Sequence, residues 1–491
     1  MDGTEKNNLI EDLNALEALK DDELEEKKVT AAVGQLLDGS PKCDKELLKR
    51  LLLLLERVRP DGEGRFGWNR RTGEVWQRLG REEQALRYYQ AALRIREDRT
   101  VQRLLDECIE VLSLPVSGDC FRTGVQTAWQ NFLEGEARLR EMISRKQPEE
   151  AIRLCREIIA PANPNAFFGL GTDGERFRLS LTASRRIERL FPLVYFCRQA
   201  PDAVREHWDI LIGTQPADRP DFYISLFGVR AGARDCRVYP VWEEETGRCR
   251  VSVYHEKIAE AFPAGGAEAN SLAGALIENA VGEIPAMSLL SEIRVLTTPP
   301  DSEGMALSEL LSYLLSHAGV TREEALDPES LLHDYHAVRM EPAENARPAY
   351  REDLRQVVTC LLPLTEEAHR GESNVTDYYH RLGIEAGCFS YSLEAFAGQD
   401  GKDRHREFRR RFLDAMEEKA GRDAYRIVAF GCGRYSGYID FIAYDFSAVL
   451  DAARETFQDA PVAYAGFLSL RPGMKLVLLK GPDEWEEMLM S

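Results

Sequence analysis

The sequence has no long apolar run. Its longest aliphatic stretch, Leu51 to Leu55, is pinned between Lys49-Arg50 and Glu56-Arg57, far short of the roughly 20 apolar residues that a membrane span needs. Nor does it open on a basic region followed by an apolar one. The start, MDGTEKNNLIEDLNALEALKDDELEEKK, is acidic and amphipathic, which argues against a secretory signal. No CxxC occurs among the ten cysteines, so a structural zinc ribbon or a thioredoxin-like site has no support. Several cysteines fall inside apolar patterns, as Cys155 does in AIRLCREII, and reduced, mostly buried thiols in a cytoplasmic protein are expected. Positive charge is scarce: 63 Lys and Arg stand against 83 Asp and Glu, a formal charge of −20. Such a chain repels nucleic acid and anionic lipid at long range, so neither is expected as a partner. A GxSxG elbow, a Walker A loop and a protein-kinase signature set are missing. That weakens an enzyme reading without excluding one, because a catalytic dyad can be assembled from distant residues.

What remains is ordinary globular material. Hydrophobic residues make up 44% and charged residues 30%, which excludes a wholly disordered chain, a collagen-like chain and a small disulfide scaffold. At roughly 150 residues per domain, the 491 residues suggest about three domains.

From about 8 to 160 the periodicity is helical. KELLKRLLLLLERV places leucines at Leu47, Leu48, Leu51, Leu52 and Leu55, a stripe broad enough for a helix packed between neighbours, and Pro60 with the following DGEG is expected to end it. Next comes GEVWQRLGREEQALRYYQAALRI, residues 73 to 95. Ala85, Tyr89 and Ala92 are spaced by four and then three residues, which puts them on one helix face. This stretch resembles a tetratricopeptide repeat, a helix–turn–helix unit of about 34 residues. Gly73 matches the small residue of the first helix, Trp76 the aromatic one, Leu79-Gly80 the turn, and Ala85, Tyr89 and Ala92 the small–aromatic–small pattern of the second helix. Glu97 stands where the closing proline usually lies. PEEAIRLCREIIAPANP, residues 148 to 164, is a weaker match in which Ala151, Cys155 and Ile158 repeat the spacing, but its first helix, around AWQNFLEGEARLREMI, reads as lacking the small residue. The resemblance covers about 60 residues; an unrelated antiparallel helix pair is the alternative.

Such repeats imply protein or peptide binding on a concave surface. With Ala85, Tyr89 and Ala92 turned inward, Arg87, Gln90 and Arg94 lie on the other faces and are the candidate binding residues. Arginines there would select an acidic peptide or a carboxy-terminus, because guanidinium groups pair with carboxylates bidentately. The alternative is that the acidic amino-terminal helix (Glu23 to Glu26) or the α+β lobes already fill that groove.

From about 165 the texture changes to short runs rich in β-branched and aromatic residues, among them RFRLSLTA, WDILIG, CFSYSLEA, YRIVAFG and YIDFIAYD. CRVYPVWEEETGRCRVSVY reads as a hairpin. Strands often follow one another directly, so antiparallel pairing should dominate and a doubly wound parallel sheet is disfavoured. Helices are expected at about 187–200, 255–262, 269–281, 306–318, 321–338, 403–420 and 446–457. The fold class is α+β: a helical repeat-like domain over 1–163, a mixed lobe over 164–300, a helical bridge over 301–350 and a second mixed lobe over 351–491. The two lobes could be a duplication.

Candidate chemistry is thin. HEKIAEAF, from His255, begins like a zinc-protease helix but has Ala259 where the second histidine belongs. His333 and His336 sit three apart on an expected helix, with no third ligand identifiable. GCGRYSG, residues 431 to 437, reads as a tight connection between strands, because a phosphate-cradling loop would open a helix. Asp440 has apolar neighbours on both faces of its strand and needs a partner, with Arg434 the nearby candidate. The basic run KDRHREFRRRF, 402 to 412, should face solvent or an acidic partner, with Phe408 and Phe412 turned to the core. No metal and no cofactor is assigned. The leading expectation is a non-catalytic cytoplasmic protein-binding or adaptor protein, one variant being an immunity-type inhibitor of a toxin. The alternative is a hydrolase-type enzyme with its site between the two mixed lobes, at Asp440 or His255.

Overall fold

The computed structural model describes residues 13–20, 23–39, 45–79, 81–116, 118–172, 174–217 and 219–481; Cys43 and Gly80, the second residue of the expected turn, lie outside them. Up to Ile159 every regular element among the described residues is a helix. Helices α1 (Glu26–Gly39), α2 (Lys45–Arg57) and α3 (Phe66–Arg78) share a core in which Val33 and Leu37 meet Leu51, Leu55, Trp68 and Val75. The leucine stripe of α2 is what lets it pack between neighbours. That helix ends at Arg57, ahead of Pro60. Pro60 sits in the first turn of a separate short helix, Arg59–Gly62, where a missing N–H costs nothing.

Helix α4 (Glu82–Ile95) runs antiparallel to α3. Arg96 lies over the Phe66 ring at 3.9 Å, and Tyr89 donates to Gln77 at 2.7 Å, so the start of one helix meets the end of the other. Ala85, Tyr89 and Ala92 are fully buried. A Cβ on Gly73 would stand 2.6 Å from the Tyr89 ring, so only glycine permits this approach. Helix α5 (Arg99–Leu112) completes that layer, its first turn capped by Asp98, which accepts from Thr100 and Val101. In the next pair, α6 (Phe121–Ser144) and α7 (Pro148–Ile159), Ala151, Cys155 and Ile158 are buried. Here the small residue is present after all: a Cβ on Gly135 would lie 2.7 Å from Ile158 Cδ1.

The remainder is α+β. Strands β1 (Phe167–Thr172) and β2 (Phe177–Thr182) pair antiparallel; then come α8 (Ile187–Arg198) and β3 (Trp208–Ile212), which joins β2 in parallel. A two-stranded ribbon follows, β4 (Tyr223–Leu226) with β5 (Val229–Gly232). Strands β6 (Arg237–Glu243) and β7 (Arg248–Tyr254) make the expected hairpin, and with β8 (Leu290–Leu296) and β9 (Met305–Ala306) they form a four-stranded sheet in the order β8-β7-β6-β9, packed against α9 (Ala267–Val281) and α10 (Leu310–Ala318).

The largest sheet is antiparallel throughout. It is built from β10 (His336–Arg339), β11 (Leu354–Thr359), β12 (Glu385–Ser392), β13 (Tyr425–Gly433), β14 (Ser436–Ala443), β15 (Ala465–Ser469) and β16 (Val477–Lys480), in the order β10-β11-β13-β14-β12-β15-β16. Helices α11 (Leu362–Arg370) and α12 (Asn374–Arg381) separate β11 from β12, while α13 (Gly401–Ala420) and α14 (Phe446–Gln458) cover one face through Phe412 and Phe457. Parallel pairs occur at β2–β3 and β7–β8, whereas the large sheet has none, so the two mixed regions do not repeat one topology.

Two expectations need correction. Residues 321–338 are not one helix but two short ones, Arg322–Leu326 and Glu329–Leu332, followed by β10. Pro328 holds Asp327 in the extended region (φ −76°, ψ 112°) and breaks the run. The segment 301–350 therefore gives the large sheet its edge strand as well as helices. Its Leu307, Leu310 and Leu314 belong to the core of the four-stranded sheet. The helical third packs against the rest: Trp129 donates to Phe196 O at 2.9 Å, Trp208 donates to Glu136 at 3.1 Å, and Phe121 and Phe132 share one core with β2, α8 and the large sheet.

Candidate functional site

A cleft of about 960 Å³ runs along the seam between α4, α5 and α6 on one side and α12 on the other. Helix α6 is moored beside it through its own unsatisfied amino-terminal end. Phe121 and Arg122, in the first turn of α6, have no intrahelical acceptor; their N–H groups donate to Gly383 O and Tyr444 O, each at 3.0 Å. Gly383 carries a φ of 75°, and any Cβ there would collide with Asp119 O.

Under this seam lies a polar cluster drawn from separate segments. Arg471, 4% exposed, donates through Nη1 to Ser113 O at 2.8 Å and to His380 Nδ1 at 3.0 Å. Arginine can only donate, so His380 Nδ1 accepts, and its Nε2 carries the proton that goes to Glu110 O at 2.8 Å. Burial first, and then the charge of Arg471, hold the imidazole below its usual pKa. Glu385 is buried at the start of β12, accepts from Ser469 Oγ, and is pushed up to about 7 by burial. Burial also raises Glu82, with Asp377 beside it adding to the effect. Among the described residues, Glu385 Oε2, Asp377 Oδ1 and Arg471 Nε and Nη2 have no hydrogen-bond partner.

A second cleft of about 500 Å³ opens between the segment 347–352, the end of α11 and the turn after β15. Ala349 and Arg351 both sit in the left-handed region, at φ 68° and 64°. They are held there by β14: Ala349 N donates to Ser436 Oγ at 3.0 Å and Arg351 N to Tyr438 OH at 3.2 Å. Arg351 Nη1 forms a buried ion pair with Asp440.

That pair corrects the sequence assignment of Asp440 to Arg434, which instead lies over the Tyr435 ring at 5.8 Å. GCGRYSG is the β13–β14 turn, and its free N–H groups, Tyr435 N and Ser436 N, go to Asp353 at 2.6 and 3.1 Å rather than to an anion. His255 is buried beside the four-stranded sheet, where its Nε2 accepts from Gly232 N at 3.1 Å. Asp440 is in the middle of the large sheet, so the two residues do not converge. His333 follows a short helix and His336 lies on β10, so they share no helix face. Among the described residues no group of three or more His, Cys, Asp or Glu is placed to hold a metal ion. In the basic run, Phe408 and Phe412 are buried, and Glu407 takes both Arg410 and Arg411, which holds its carboxyl down to about 2. Arg87, Gln90 and Arg94 are exposed on α4, and none of them lines either cleft. Glu26 pairs with Arg65 at 3.0 Å.

Sequence reading missed His380, Glu385 and Arg471. The one local signal was a glutamate opening the apolar strand EAGCFSYS. Among the described residues no helix is long and apolar enough to cross a membrane, and all nine described cysteines are free, eight of them buried. Comparison with protein-family models, with curated proteins and with solved structures finds no match.

Proposed function

We propose that the chain is a non-catalytic, cytoplasmic binding protein that holds a cationic segment of a partner protein in the seam cleft. The observation that carries this is the charge of the lining. Glu82, Glu107, Glu110, Asp119 and Asp377 converge there, and Arg381 is the one lysine or arginine among the described lining residues. Converging carboxylates steer a basic partner and hold it by charge complementarity. An immunity-type protein that masks a basic toxin is one form of this function. The likeness of residues 73 to 95 to a tetratricopeptide repeat supports a binding role. So does His380: both its ring nitrogens are engaged, which leaves no lone pair for general base work.

The outer face of α4 is the competing surface. Arg87, Gln90 and Arg94 are exposed there and would take an acidic partner. Affinity capture separates the two. Glu107→Lys with Glu110→Lys should abolish recovery of the partner, and Arg87→Glu with Arg94→Glu should leave it intact. The reverse result moves the binding site to α4.

A further inference from the structure

In the second cleft the sign of the charge is inverted. Arg347 is paired with Glu352 at 2.6 Å and Arg351 with Asp440, so these four charges cancel. Arg471 and Lys475 also line the cleft; the charges of Glu385, Asp377 and Glu82 act on Arg471, but none of these carboxylates hydrogen-bonds to it. Glu385, the carboxylate whose charge acts on Arg471 most strongly, is pushed up to about 7 by burial, so near pH 7 it carries only part of its charge. Arg81 adds a further cation, because its Nη2 lies 3.0 Å from where a Cβ on Gly371 would stand, at the cleft wall.

The guanidinium of Arg471 is the decisive feature. Its Nη1 is spent on Ser113 O and His380, while Nε and Nη2 are buried and without a partner among the described residues. Those two N–H groups form one edge of the planar fork, the edge that matches two oxygens of a carboxylate or phosphate. Leaving such an edge desolvated and unfilled is costly. Arg351, with its side chain 9% exposed, has Nη1 taken by Asp440, and its left-handed backbone is strapped to β14. Strain of this kind persists where surrounding structure over-determines it.

We propose that this cleft binds a phosphate monoester group, with its oxygens on the Nε/Nη2 edge of Arg471 and its remaining charge met by Lys475 and Arg81. Several cations converging on one small cleft favour a dianion over a single carboxylate. The site has its own lining and touches the seam cleft only through the bonds of Arg471 to Ser113 and His380; it does not depend on the partner proposed there.

The test is calorimetric titration of the full chain with inorganic phosphate at constant ionic strength, with acetate as the monocarboxylate comparator. The expected result is saturable phosphate binding with acetate at least roughly tenfold weaker. Lys475→Glu with Arg81→Glu, both exposed positions, should weaken phosphate by roughly tenfold or more. Arg471→Lys, which keeps the charge and removes the fork, should do the same. Glycerol 3-phosphate and a phosphoserine peptide then distinguish a small-molecule source from a modified partner, the tighter of the two naming the source. Phosphate binding no stronger than acetate, or binding unchanged in Lys475→Glu with Arg81→Glu, overturns the proposal.

Discussion

Arg471 Nη1 stands 3.0 Å from His380 Nδ1, and this contact decides which nitrogen of the imidazole carries its proton. Burial and the neighbouring guanidinium both disfavour the imidazolium. His380 should therefore stay neutral below the pH at which an ordinary histidine titrates. Because the unfolded chain binds that proton more readily, this group withdraws stability as pH falls below about 6.5. Following the labelled His380 Cε1 resonance by NMR should give a titration below the usual range in the wild type and an upward shift in Arg471→Met.

Glu385 works in the opposite sense. Its folded pKa is raised from 4.5 to about 7, so between those values the folded state holds a proton that the unfolded state has lost. Stability from this group declines as pH rises through that window and levels off above it. Glu385→Gln removes the decline. Relative to wild type, the variant should gain on the order of 1–3 kcal/mol between pH 5 and pH 8 in urea unfolding. An equal difference at the two pH values would mean that the carboxyl is ionised in the fold.

The approach of α3 to α4 rests on Gly73. Gly73→Ala brings a Cβ to 2.6 Å from the Tyr89 ring, and the overpacking should cost about 1–3 kcal/mol, outweighing the roughly 1 kcal/mol gained in helix propensity. Gly67→Ala, on the same helix, places its Cβ 3.4 Å from Thr30 Cγ2 and should be neutral or stabilising. Thermal melts of the two variants decide this.

Arg351 and Asp440 are a buried pair from distant segments. Asp440→Asn strands a guanidinium in the interior and should cost roughly 3–5 kcal/mol. Arg351→Met together with Asp440→Asn should recover much of that loss. A double variant no more stable than the single one would show that the pair is not what carries the cost.

What could be read from the sequence was local. The four-then-three spacing of Ala85, Tyr89 and Ala92 specifies a buried face within one helix, and EETG specifies a turn between two adjacent strands. Phe408 and Phe412 fall on the buried side of α13 by the same periodicity. Asp440 could be recognised as a buried acid needing a partner, but the nearest arginine in sequence was the wrong one, because Arg351 reaches it only across the antiparallel sheet. The helix expected over 321–338 failed at Asp327-Pro328, where the proline's restriction on its neighbour outweighed the helical pattern on either side. The seam was hidden for a further reason. Ser113, His380 and Arg471 come from a loop, a helix end and a turn, and none of those places has a periodic signature.

The most direct test of the binding function is fluorescence anisotropy of a labelled octalysine peptide against the full chain in moderate salt. The account predicts saturable binding that weakens as salt rises and is lost in Glu107→Lys with Glu110→Lys. It should be retained in Glu244→Lys with Glu245→Lys, which makes the same charge change on the exposed β6–β7 turn. Equal loss in both double variants, or equal retention, would contradict a cationic segment held in the seam cleft.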